Sequence, residues 1–333
     1  MVIVQNYPLA VALCVVTMLC WGSWANTQKL ATRSGRFELF YWDYALGVLA
    51  ASVVYAFTLG TFGGAGRSFV HDLRQASATA LGSVFLGGVV FNAANILLVV
   101  GIALAGMAVA FPVGIGLALV LGVIVNYLAQ PRGDPVWLFA GVGLVTLAII
   151  LDALAYARLP TSTSRNWKAG LAVSILCGGL MGFFYRFVAR GMSTNFTQMP
   201  EGLVGPYTAM VVFSLGLLAS NVVFNSALMR FPLAGPPLSF RDYARGALRD
   251  HGWGLLGGAI WTTGMLMSIL AFGVAGPAIS YGLGQGATLV AALWGVLVWK
   301  EFAHAPPGTS RILAAMFAAY VVGLGFIIYA GAR

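Results

Sequence analysis

Polar and aromatic side chains lie inside several long apolar segments of this chain, where an unpaired polar group is costly. Amides and hydroxyls can bind the donors and acceptors of a neutral solute, and aromatic rings can stack on a flat one. We predict a substrate site from these residues: Trp21, Trp24, Asn26, Asn92, Asn95, Phe111, Trp261, Thr262, Tyr281 and Gln285. The alternative for the amides, Asn92 and Asn95 above all, is that they only hydrogen-bond neighbouring helices.

Two acids, Asp43 and Asp152, are the carboxyl groups nearest to the middle of these apolar segments. A carboxyl group buried in a membrane can bind and release a proton near neutrality. We therefore predict both as proton-coupling residues, with Asp43 first, since Tyr41 and Tyr44 beside it can hydrogen-bond its protonated form. The alternatives are an Asp43 at the membrane interface, held by those tyrosines or by an arginine, and an Asp152 that pairs with Arg158.

Few residues of the sequence are arranged for metal binding or catalysis. Cys14, Cys20 and Cys177 lie in apolar segments without the spacing of metal ligands, and the three histidines fall between the segments. No phosphate-binding glycine–lysine motif, metal-ligand cluster or catalytic triad can be read in the chain. We predict no cofactor, no bound metal and no enzymatic activity.

The composition predicts a lipid surrounding. Hydrophobic residues make up 60% of the 333 positions and charged residues 8%, and the mean hydropathy is +0.89. A soluble domain is about half apolar and about a quarter charged. The net charge of +9 comes from basic residues spread over the connections, which indicates membrane orientation and lipid headgroups rather than nucleic acid. A monomer and a homodimer are both compatible with this composition.

Ten apolar segments approach or exceed the roughly 20 residues that a helix needs to cross a bilayer. We predict membrane-spanning helices at Pro8–Leu30, Leu39–Leu59, Ala78–Leu104, Met107–Leu128, Val136–Ala157, Ala169–Val188, Gly202–Leu228, Trp253–Val274, Pro277–Trp299 and Ile312–Ala330.

The second half of the chain resembles the first. The segment 105–116 matches the segment 275–286, which lies 170 residues later, and three shorter segments repeat in the same order. We predict two halves, 1–158 and 168–333, joined by a short link, 159–167. Five helices in each half force the halves to enter the membrane in opposite directions. The predicted fold is an all-α membrane protein with ten transmembrane helices in a 5+5 inverted repeat. Its site should lie between the halves, near helix interruptions at Pro112 and Gly282.

Lysine and arginine are distributed unevenly between the two sets of helix ends. Twelve of these residues fall on one set: Lys29, Arg33, Arg36, Arg158, Arg165, Lys168, Arg230, Arg241, Arg245, Arg249, Lys300 and Arg311. The other six fall with both termini: Arg67, Arg74, Arg132, Arg186, Arg190 and Arg333. We predict a multi-pass protein of the cell membrane, a bacterial inner membrane, with both termini outside the cytoplasm.

Short motifs spread over nearly the whole chain carry a family resemblance. They are Gly35-Arg36, Tyr41-x-Asp43-Tyr44, Phe57-Thr58-Leu59-Gly60, Gly87-Gly88 with Asn92, Asn126-Tyr127, and Trp294-Gly295 before Lys300-Glu301. In these the chain resembles the ureide permeases and the neighbouring glucose/ribose/rhamnose porters of the drug/metabolite transporter superfamily. The resemblance implies proton-coupled uptake of small neutral polar solutes, which are allantoin, uracil and xanthine for the permeases and monosaccharides for the porters. Plant ureide permeases have a long central loop where this sequence has a short link.

The residues and the resemblance together predict a proton-coupled symporter for a nucleobase, a ureide or a related heterocycle. A monosaccharide is the alternative, because ring stacking and amide hydrogen bonds serve both ligands. Export of drugs or metabolites is less favoured, since the first apolar segment lacks a glutamate that could bind a cation. The expected partners are a small-molecule substrate, protons and the lipid bilayer.

Overall fold

A computed structural model describes residues 1–31, 36–159, 166–232 and 235–333 of the chain. Within these ranges ten helices are long and apolar enough to cross a membrane, which confirms the predicted all-helical membrane fold. They are α1 Tyr7–Leu30, α2 Phe37–Phe57, α3 Ala78–Ala105, α4 Val109–Ala129, α5 Pro135–Tyr156, α6 Trp167–Gly191, α7 Pro206–Arg230, α8 Leu248–Ala275, α9 Pro277–Val298 and α10 Thr309–Ala332. Most of the predicted link (160–165) lies outside the described residues, as do Arg33, Gly35 and Arg165.

The predicted helix bounds differ from the structure most at α7 and α8. Helix α7 begins at Pro206, four residues after the predicted start, because Gly202 has a φ of +84° that a helix cannot use. Helix α8 begins at Leu248, five residues before the predicted start. Its first turn contains Asp250, whose charge favours a helix N-terminus, so polar residues extend this helix beyond its apolar part.

Three of the membrane helices are interrupted. Helix α1 turns at Trp24-Ala25, between the helical segments Tyr7–Ser23 and Asn26–Leu30. Helix α4 widens into a π-helical turn over Pro112–Gly116, where proline has no N–H to donate. Helix α9 turns at Gln285-Gly286. The interruption in α4 begins at the predicted Pro112, whereas the turn in α9 begins three residues after the predicted Gly282. Irregular backbone at membrane depth is tolerated where it lines a cavity or is buried in protein.

A single glycine, Gly106, separates α3 from the helical segment Met107–Phe111 that leads into α4, and Gly276 separates α8 from α9. Gly106 has a φ of +79° and Gly276 a φ of +83°, conformations that residues with a Cβ rarely adopt. Each glycine ends one helix and begins the next segment without a loop.

Glycines also allow two crossings between the predicted halves. A Cβ on Gly88 of α3 would overlap the carbonyl oxygen of Phe213 in α7. A Cβ on Gly258 of α8 would overlap the carbonyl oxygen of Tyr44 in α2. Such backbone-to-backbone approach is typical of small residues at membrane helix interfaces. The two crossings join helices of the predicted first half, α3 and α2, to helices of the predicted second half, α7 and α8.

The bundle has two ends, which we name by the residues that lie there. The basic end carries Lys29, Arg36, Arg158, Arg230 and Lys300, and the terminal end carries Met1, Arg67, Arg132 and Arg333. Contacts across each end join connections that are distant in sequence, such as Lys29 with Glu301 at the basic end.

Candidate functional site

A central cavity of about 300 Å³ lies between α1, α3, α4, α6, α8 and α9. Helices from both predicted halves therefore form its walls. Six of the residues predicted for the substrate site line it: Trp21, Trp24, Asn95, Phe111, Trp261 and Gln285. The cavity extends from this level towards the basic end, because Gln28 in the last turn of α1 and Phe37 at the start of α2 also line it.

Aromatic rings form a flat part of the cavity wall. Trp21 and Trp261 are stacked, with ring centroids 6.0 Å apart and an angle of 13° between the planes. Phe91 packs against Trp261 at 4.6 Å and against Phe184 at 5.1 Å. Such rings can stack on a planar ligand or on the apolar face of a sugar.

Amide groups provide the polar part of the wall. Gln28, Asn95 and Gln285 all line the cavity, together with the hydroxyl-bearing Thr288. None of the lining side chains among the described residues is acidic or basic. Because a charged ligand would need an opposite charge in so apolar a place, this wall suits an uncharged polar one.

A hydrogen-bond chain behind the wall fixes Asn95. The Asn95 amide donates to the Tyr41 hydroxyl at 3.0 Å, and that hydroxyl donates to Asn92 Oδ1 at 2.9 Å. The Asn92 amide in turn donates to Ser220 Oγ on α7 at 2.9 Å. Asn92 is fully buried and supports the cavity wall from behind, whereas Asn95 reaches the cavity itself.

Besides Asn92, three predicted site residues do not line the central cavity. Thr262 donates to the Val48 carbonyl of α2 at 3.2 Å. The Tyr281 hydroxyl is 3.1 Å from the carbonyl oxygens of both Ala118 and Met181, so it ties α9 to α4 and α6. Asn26 accepts a hydrogen bond from Trp299 at 2.6 Å and lines a neighbouring side cavity.

The side cavity, of about 180 Å³, contains Asp152. It lies between α1, α5 and α9 on the side of the central cavity that faces the basic end. Glu301, which follows α9, accepts hydrogen bonds from Lys29 and from the Tyr156 hydroxyl, both at 2.7 Å. Burial raises the pKa of the Glu301 carboxyl, but these hydrogen bonds outweigh burial and bring its pKa below the usual range.

Asp43 lies in different surroundings. One of its oxygens accepts a hydrogen bond from the Tyr243 hydroxyl at 2.6 Å, and the other is 2.8 Å from His251 Nδ1. Burial and the hydrogen bond to Asp43 raise the pKa of Tyr243, which lies in the connection between α7 and α8. The pocket that contains Asp43 measures only about 30 Å³ and shares no lining residue with the central cavity. The neighbouring tyrosine Tyr41 bonds Asn92 and Asn95 instead of Asp43.

Sequence reasoning missed several residues of the wall, among them Phe91, Met181, Phe184 and Thr288. The repeat contains a signal that could have found Met181. The offset of 157 residues that aligns Cys20 with Cys177 also aligns Trp24 with Met181. In the predicted repeat helix α6 is the counterpart of α1, and residues of both helices line the cavity.

Comparison with known proteins gives one consistent family. A family model described as ureide permease matches residues 40–164 and 158–330. Ureide permease 1 of Arabidopsis thaliana is 21% identical over 385 aligned positions, which cover 98% of each chain. Ureide permease 5 of the same plant is 22% identical and is matched over 95% of its length.

A solved crystal structure supports the fold. It matches with a TM-score of 0.62 and 18% sequence identity, over 95% of this chain and 95% of its own. At that identity the match bears on the fold alone. The family model covers far more than half of the chain, which confirms the ureide permease part of the resemblance. The chain belongs to the ureide permease family.

Proposed function

We propose that this protein is a secondary transporter that takes up a small neutral polar solute of the ureide or nucleobase class, driven by protons. The observation that carries the proposal is the central cavity, with its stacked indole rings, its amides and its uncharged lining. A volume of about 300 Å³ is at the lower end for ligand sites, which suits a compact heterocycle. The ureide permeases among its relatives support the same class.

Alternating access between the two ends of the bundle is the proposed mechanism. The interruptions in α4 and α9 and the glycine crossings of α3 with α7 and of α8 with α2 support a 5+5 inverted repeat around a central site. In the described conformation the cavity extends towards the basic end. The transport cycle requires a second conformation in which the cavity is open at the terminal end.

The proposed orientation puts both termini outside the cytoplasm and the basic end inside. A C-terminal alkaline phosphatase fusion should then be active, and a C-terminal fluorescent protein that matures only in the cytoplasm should be dark. The opposite pattern would invert the orientation and make the described conformation outward-facing.

Uptake into proteoliposomes tests the substrate class. Labelled uracil, allantoin, ribose and glucose should each be offered to the purified protein with and without an inward pH gradient. Uracil or allantoin should accumulate when the external side is acidic. Accumulation of ribose or glucose alone would support the monosaccharide alternative, since aromatic rings and amides also bind sugars. Solute movement out of the vesicles against its gradient would support an exporter.

Proton coupling requires a carboxyl group that can gain and lose a proton during the cycle. Asp43 and Asp152, the two predicted acids, are both buried within described membrane helices. They remain the candidates for this role, and their different surroundings allow a choice between them.

A further inference from the structure

The side cavity adjoins the central cavity along a shared wall. Gly22, Ala25, Phe111, Thr288 and Ala291 line both cavities. Two of these residues lie next to the turn in α1, and two lie just after the turn in α9. A charge that appears or disappears in the side cavity therefore acts close to the interruptions of both α1 and α9.

Asp152 is the buried acid of this side cavity. Only 5% of the residue is exposed, and its Oδ1 atom is buried without a hydrogen-bond partner in the part of the chain that the structure describes. The titratable groups that face it are Glu301, Tyr156 and Tyr320, and Lys29 reaches the cavity through its ion pair with Glu301. The alternative partner, Arg158, is directed instead to the carbonyl of Pro307, at 3.4 Å.

An ionised carboxylate without a donor is costly in such a place, and the neighbouring carboxylate of Glu301 adds repulsion. Binding of a proton to Asp152 removes both costs. Loss of the proton restores the burial cost and the repulsion. Contact of the carboxylate with water or with Lys29 lowers both costs. The two protonation states thus favour different arrangements of the helices around the cavity, which is the condition for coupling.

We propose that Asp152 is the proton-binding residue of the transport cycle, which rests on the proposed function. Its carboxylate takes a proton from water at the acidic end and returns it to water at the other end, so no other reactant is needed. Asp43 does not share these properties, because both of its oxygens are hydrogen-bonded and its pocket is separate from the central cavity. Asp43 holds the connection between α7 and α8 against α2.

The test compares Asp152→Asn with Asp43→Asn in proteoliposomes, with labelled uracil and allantoin as probes. One proton per solute sustains an accumulation of about tenfold per unit of pH difference in the wild type. Asp152→Asn should lower the accumulation ratio to about one while it retains exchange between preloaded vesicles and medium. Asp43→Asn should retain accumulation, and Asp152→Glu should restore part of it because it keeps a titratable carboxyl group.

The pH dependence of binding provides a second readout that does not need a sealed membrane. Uracil binding, followed by tryptophan fluorescence in detergent, should depend on pH in the wild type and lose that dependence in Asp152→Asn. Wild-type accumulation by Asp152→Asn, or an unchanged pH dependence of binding, would overturn the proposal. Accumulation driven by a sodium gradient in place of a pH gradient would also overturn it, in favour of a sodium site.

The outcomes separate this proposal from the proposed function. If the wild-type protein exchanges neither uracil nor allantoin, the proposed substrate class fails, and the same variants are compared with labelled ribose. If the wild type exchanges uracil but Asp152→Asn behaves like the wild type, only the role of Asp152 fails.

Discussion

The two ends of the bundle are held by different kinds of contact. At the terminal end Arg67 donates to Asp72 at 3.0 Å and to three backbone carbonyls of the connection before α7. Asp72 is only 2% exposed and also accepts from the backbone N–H of Gly205 at 2.7 Å. This end is closed by a buried network in which a charged side chain bonds the backbone.

At the basic end the contacts include an ion pair between partly exposed side chains, and Arg36 and Arg158 each donate to a backbone carbonyl. Lys29 and Glu301 form an ion pair at 2.7 Å with side chains that are 48% and 28% exposed. His251 and Tyr243 hold Asp43 in a second cluster, in which His251 is also partly exposed. An exposed pair such as Lys29–Glu301 contributes little to stability, about 0–1 kcal/mol.

The difference indicates which end opens at lower cost. A buried network that includes backbone groups is lost only when the whole connection moves, whereas an exposed side-chain pair can separate and re-form. The cavity extends towards the basic end, where the weaker contacts lie. We therefore expect the terminal end to be the more stable of the two ends.

Removal of the buried acid at the terminal end should have the largest effect. Asp72→Ala leaves the Arg67 guanidinium and the Gly205 N–H without their shared acceptor, at a cost of about 3–5 kcal/mol. Thermal unfolding of the purified protein in detergent should show a clear loss of stability. The matched control is Asp242→Ala, at an exposed capping box in the connection at the basic end, and it should change the melting temperature far less. Equal shifts would remove the contrast between the two ends.

The sequence predicted the helices well and the tertiary pairing of the acids poorly. Lengths of apolar sequence set the ten helices, because lipid imposes this pattern directly. Asn92 and Asn95 were both predicted for the site, but only Asn95 lines the cavity, because Asn92 is buried against Tyr41 and Ser220. The partner of Asp43, His251, lies 208 positions away, and no local pattern links the two residues.

The glycine crossings should show the next largest effect, because a methyl group added there meets backbone atoms of the facing helix. Gly88→Ala places a methyl group against the carbonyl of Phe213 and should destabilise the protein by about 1–3 kcal/mol. Gly82→Ala, in the same helix, has no atom within 4 Å of the added group and should be neutral or slightly stabilising. Thermal unfolding measures both variants. A neutral Gly88→Ala would show that α3 and α7 can separate freely here.

The ring wall should contribute a smaller energy, measured in binding. Trp261→Ala removes the ring that stacks on Trp21 and should weaken uracil binding by about 0.5–1.5 kcal/mol. Trp137→Ala is the control, since Trp137 packs against Phe326 and Tyr329 and does not line the cavity. Tryptophan fluorescence or exchange of labelled uracil measures both variants. Equal affinities in the two variants would mean that the solute binds elsewhere.

The smallest effect should come from the Lys29–Glu301 pair at the basic end. Glu301→Gln should lower stability by less than about 1 kcal/mol, because the pair is exposed. The pKa of Glu301 lies below the usual range, whereas the pKa of a glutamate in an unfolded chain is about 4.3. The pair therefore contributes its stability above that pH and loses it as the pH falls through the lower, folded value. Between about pH 5 and 8 the melting temperatures of Glu301→Gln and the wild type should differ by a constant amount.

A difference that changes within this range would show that Glu301 titrates there, and that the basic end responds to pH through this pair. A constant difference would leave Asp152 as the proposed proton-binding residue. The pH dependence of uracil exchange in Glu301→Gln completes the test. The pH dependence of exchange in Glu301→Gln should follow the wild type, and Asp152→Asn should lose it. In that case the Lys29–Glu301 pair only stabilises the basic end, and the proton binds in the side cavity beside the central cavity.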